Sequence, residues 1–113
     1  MLPPESRAAM LLFAVNSELE RRHLNLRGSG RPLLDASAEL AANHGMFVRM
    51  AAEEAVGTED VLHRVESGIR SLSSWVTAIG GRAPDRLGPA LRRWQRDAEA
   101  LGAETAAVRP AGP

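Results

Sequence analysis

The groups in this chain that could do chemistry are three imidazoles, at His23, His44 and His63, and a run of arginines between residues 82 and 96. His63 is the candidate with the most specific surroundings. On a helix, Glu59 lies one turn before it, and Glu66 and Arg70 fall on the adjoining flank. An imidazole that faces water, with a polar neighbour to set its tautomer and a rigid helix to hold its ring, can accept a phosphoryl group. The plainer alternative is an exposed histidine in contact with Glu59, worth a few tenths of a kcal/mol. His23 and His44 lie near the edges of apolar stripes, where histidines are ordinarily buried and paired with a neighbour. Glu20-x-x-His23 has the spacing used by di-iron bundles, but His63-x-x-Glu66 runs in reverse order and faces outward, so no metal is expected. Arg82, Arg86, Arg93 and Arg96, with Arg92 beside them, make a basic stripe that could meet an acidic partner or a phosphate backbone, or could simply be solvated. Trp75 falls just off an apolar seam, where a half-buried ring could anchor an interface.

Four segments must position these groups. In residues 58–80, Leu62, Val65, Ile69, Leu72, Val76 and Ile79 recur at steps of three and four, which gathers them on one helical face and turns His63 away. Pro3 and Pro4 suit a helix start, and Ala8, Leu11, Leu12, Val15, Leu19 and Leu26 line one side of a helix over about 4–26. A second helix, about 33–56, is opened by Pro32 or capped by Asp35, with Leu33, Ala36, Leu40, Phe47 and Ala51 as its apolar side. Mid-helix Gly45 costs about 1 kcal/mol relative to Ala, and close packing is the expected reason for keeping it. Thr58 is the expected cap of the third helix, about 59–80. The fourth helix, about 84–108, carries Leu87, Leu91, Trp94, Ala98, Leu101, Thr105 and Val108, with Pro89 either in its first turn or at a kink. These segments predict an all-α, antiparallel four-helix bundle with the third and fourth helices as its tightest pair, and a loose tail over 109–113.

Composition narrows the function. At 113 residues, one domain is expected, and its core must come from Leu, Val, Ala and Met because only four aromatic residues are present. Net charge is zero, so nucleic acid is not the expected partner. All basic residues are arginine, which with the Ala, Gly and Pro content suggests a bacterial or phage source. Cysteine is absent, which excludes disulfides and thiolate chemistry. No Gly-x-Ser-x-Gly elbow, Walker loop or dinucleotide loop occurs. Residues 8–15 are too short for a membrane span, and no cleavage site follows, so a cytoplasmic location is expected.

His63-Arg64-Val65-Glu66-Ser67-Gly68-Ile69-Arg70, followed by Ser71-Leu72-Ser73-Ser74, resembles the phospho-acceptor box of a sensor histidine-kinase family, which reads His-Arg-Val-Lys-Asn-Asn-Leu-Gln. The likeness runs over residues 58–108. It implies a hairpin that dimerises into a four-helix bundle, with His63 passing a phosphoryl group to a receiver-type protein. Glu66 replaces the family's lysine, and Ser67 and Gly68 replace its two asparagines. The chain offers no ATP-binding loop, so it is not expected to be a kinase. The leading expectation is a small non-catalytic bundle, with no cofactor, that acts through a protein partner or as a homodimer. Glu59, Glu66, Arg70, Trp75, Arg82, Arg86, Arg93 and Arg96 are the candidate partner-binding residues. Phosphotransfer through His63 is the alternative, and binding of an acidic partner or nucleic acid by the arginine stripe is a further one.

Overall fold

The computed structural model describes residues 2–24, 31–78 and 86–108. Within them the chain is an antiparallel four-helix bundle: α1 (Pro4–Leu24), α2 (Arg31–Ala51), α3 (Thr58–Ala78) and α4 (Leu87–Val108). Leu26, Ile79, Arg82 and the tail 109–113 lie outside the described residues, as do the side chains of His23, Leu33 and Val108.

Local chemistry explains where the helices begin and end. The Pro3 carbonyl accepts from the amides of Ser6 and Arg7, so Pro4 is the first helical residue of α1, where its missing N–H costs nothing. Pro32 falls in the first turn of α2. That helix stops at Ala51, short of the expected 56. The Glu54 amide bonds back to the Arg49 carbonyl and the Glu53 amide to that of Met50, and Glu53 takes a left-handed φ of 57°. This is a Schellman ending with glutamate where glycine is usual. Gly57, not Thr58, accepts the first bond of α3, from Val61, and Glu59 and Asp60 supply negative charge in the turn that follows. In α4 the first helical bond runs from Ala90 to Arg86. Pro89 therefore sits in the first turn, where no amide is required, and does not kink the helix.

The core is built from Leu12, Val15 and Leu19 of α1, Val61, Leu62, Val65, Ile69 and Leu72 of α3, and Leu87, Trp94, Ala98 and Leu101 of α4. Each fully buried Leu or Val contributes about 1.5–3 kcal/mol. The bundle is a rhombus, not a square. α1 and α3 form its short diagonal and pack most extensively, while α2 and α4 occupy opposite corners and do not pack on each other among the described residues. The expected primacy of the α3–α4 pair does not hold. Small side chains decide this: a Cβ placed on Gly68 would come within 2.6 Å of Val15 Cγ1, so the two backbones approach closely at that point.

α2 is rolled relative to expectation. Among its described side chains Ala36, Asn43 and Met46 are buried, while Ala51 is exposed. Gly45 faces open space, with nothing within 4 Å of an added Cβ, so close packing does not explain it.

Candidate functional site

α3 presents His63 as the sequence pattern requires. Leu62, Val65, Ile69 and Leu72 are buried and Val76 is half-buried, which leaves His63 exposed. Its imidazole takes part in no hydrogen bond or ion pair among the described residues, and Glu59 is exposed one turn away.

The positions around it carry structural contacts. Arg64 donates from Nη2 to Glu39 Oε2 of α2, and Ser67 Oγ donates to Glu39 Oε1 at 2.6 Å. Both carboxylate oxygens are thus taken, and the Arg64–Glu39 pair is largely shielded from water. Val65 and Ile69 are core, Gly68 meets Val15, Glu66 is half-buried and Arg70 is exposed. The residues that carry the box resemblance therefore hold α3 to α1 and α2. The α3 seam itself is occupied by helices of the same chain.

Trp75 is half-buried, as its position off the seam implies, and one face of its ring meets an arginine of the same chain. The Arg22 guanidinium lies 5.3 Å from the ring centroid, and Glu18 holds that guanidinium at 3.2 Å.

The arginine stripe divides between two grooves. Arg86 and Arg93 line a hollow between α1 and α4 together with Glu18, Arg21 and Arg22. Arg96 lines a second hollow, between α3 and α4, with Arg92, Ile69 and Ser73. One helical stripe in the sequence thus lines two different hollows.

No family model, curated protein or solved structure matches this chain.

Two features escaped the sequence reading. His44, expected at a buried edge, is exposed, and with Glu20 it borders a shallow cleft between α1 and α2. The walls of that cleft include Phe13, Leu40, Ala41 and Phe47, and the two phenylalanine rings meet edge to face at 6.4 Å. Phe13 is 66% exposed and Val48 53%. The second feature is Asn43, fully buried, whose Nδ2 donates to Asn16 Oδ1 at 3.0 Å while its own Oδ1 has no partner among the described residues. Its polarity hid it from any search for apolar periodicity. Among the described residues, no three His, Asp or Glu side chains gather where they could hold a metal ion, and no helix is long and apolar enough to cross a membrane.

Proposed function

We propose that this protein is a non-catalytic binding module that works by protein–protein association, and that its α1–α2 face pairs with a second copy of the chain. One observation carries this reading: both phenylalanines of the chain, Phe13 and Phe47, lie together at the surface with their rings in contact. Apolar side chains scattered singly on a surface need no explanation, whereas an exposed ring (Phe13) set against a half-buried one (Phe47) makes an aromatic patch of the kind found at interface centres. Glu20 and His44 are the titratable groups bordering the cleft, and the net charge of the chain is zero, so a second copy meets little like-charge repulsion. Sedimentation velocity over a concentration series tests the reading. The wild type should shift toward a dimer as concentration rises and Phe13→Ser should remain monomeric, because an exposed ring can be removed without opening the core. A wild type that stays monomeric throughout, or a Phe13→Ser protein that dimerises as well as its parent, defeats it.

A second reading, phosphoryl acceptance by His63, draws support from the exposure of that imidazole on a regular helix and from the resemblance of its box. The carboxylates of Glu59 and Glu66, within a turn, oppose the approach of a phosphate. Incubation with a phosphorylated receiver protein should then place acid-labile label on the wild type and none on His63→Gln. An unlabelled wild type removes the reading.

A further inference from the structure

α1 and α4 make the sparsest contact of the five packed helix pairs. The gap between them is a groove with two unlike halves that share Arg93 and Trp94. One half, of about 380 Å³, is walled by arginines. The other, of about 420 Å³, is walled mainly by Leu2, Met10, Leu11, Ala14 and Leu101. Each volume lies within the ~300–1,000 Å³ usual for small-molecule sites.

At the basic end, Glu18 is the lone carboxylate among four guanidiniums in the described lining, and it is already engaged with Arg21 and Arg22. Arg86 and Arg93 make no hydrogen bond or ion pair with any described residue. The Arg86 carbonyl accepts the first bond of α4, Arg93 lies two turns further along that helix, and both line the same hollow. The first turn of α4 contains no acidic residue, so its amide dipole adds to the positive field there. At the other end Met10 is 60% exposed and Leu2 52%, beside the edges of core residues Leu11 and Trp94. Arg7 and Asp97 sit in the wall of this apolar half, and Arg7 is tied to Glu104 of α4.

We propose that this groove binds an amphiphilic anion: an aliphatic chain along Met10, Leu11 and Leu101, with an oxyanion head group held by Arg86 and Arg93. A single occupant then accounts for two features that the described residues leave unexplained, guanidiniums without a partner among them and the exposed Met10 and Leu2. Planar guanidinium forks match the oxygens of a phosphate or carboxylate, and the aliphatic part covers surface that otherwise faces water. The site is distinct from the α1–α2 face proposed for association, because α2 and α4 flank α1 on opposite sides.

The test uses the full chain and monomeric dodecyl phosphate, below its micelle-forming concentration. Calorimetry should show saturable one-to-one binding, and the thermal midpoint should rise with ligand. Arg86→Gln combined with Arg93→Gln should weaken binding about tenfold or more, since both charge-assisted contacts to the head group are lost. Met10→Gln should weaken it as well, whereas Arg92→Gln combined with Arg96→Gln, in the other groove, should leave it unchanged. Circular dichroism should show all variants folded. Dodecanol and inorganic phosphate should each bind far more weakly than dodecyl phosphate. The proposal is overturned if dodecyl phosphate does not bind or lowers the thermal midpoint, or if the Arg92/Arg96 variant loses as much affinity as the Arg86/Arg93 variant. It is equally overturned if phosphate alone binds as well, or if association is seen only with anionic vesicles.

Discussion

A methyl group added at Gly68 would sit 2.6 Å from Val15 Cγ1, while one added at Gly45 would meet nothing within 4 Å. Both glycines lie inside helices, so both substitutions relieve the same backbone entropy cost. Packing gives them opposite signs. Gly45→Ala should stabilise the protein by roughly 0.5–1 kcal/mol. Gly68→Ala should destabilise it by about 1–3 kcal/mol, because Val15 is fully buried and has nowhere to yield. Urea unfolding of the two variants beside the wild type checks the pair, and a Gly68→Ala protein with an unchanged midpoint would contradict the close approach of α1 and α3. Asn43 makes a comparable case for polarity. Asn16→Ala should cost about 1–3 kcal/mol by removing the one hydrogen-bond partner of a buried amide. Replacing Asn16 and Asn43 together by leucine should recover much of that loss in the same assay.

At the scale of elements, the end of α2 and its tie to α3 are the informative places. Glu53 holds a left-handed conformation that costs an L-residue roughly 1–2 kcal/mol. Glu53→Gly should remove that strain, lose part of the gain to the freedom of the unfolded chain, and raise stability by about 0.5–1 kcal/mol net. A thermal midpoint that rises with no change in helical ellipticity is the expected result. Glu39 works in the opposite sense. It accepts from both Arg64 and Ser67, and Glu39→Ala would leave a mostly buried guanidinium uncompensated. A loss of about 3 kcal/mol is expected in urea denaturation.

For the whole molecule, the α1–α3 diagonal means that the α3–α4 hairpin does not form a core by itself. A fragment beginning at residue 58 would expose Val61, Val65 and Gly68, the face that α1 covers in the full chain. Its helicity should therefore depend on concentration, as copies pair to hide that surface, whereas the full chain should melt cooperatively. Circular dichroism at several concentrations separates the two behaviours. A fragment with concentration-independent, cooperative melting would show that α3 and α4 suffice for a core.

Much of this architecture was legible in the residues themselves. The three-and-four spacing in α3 is a property of one helix, so it was sufficient to place Leu62, Val65, Ile69 and Leu72 inside and His63 outside. The proline and glycine punctuation located all four helices in the same way. What periodicity within a segment could not carry was which helices meet. The α1–α3 diagonal depends on Gly68 facing Val15, 53 positions away in the chain. The roll of α2 follows from a buried asparagine that pairs with Asn16 of α1. The division of the arginine stripe follows from the two different neighbours flanking α4. Contacts between helices are settled by the shapes of two surfaces at once, and a linear pattern describes only one of them.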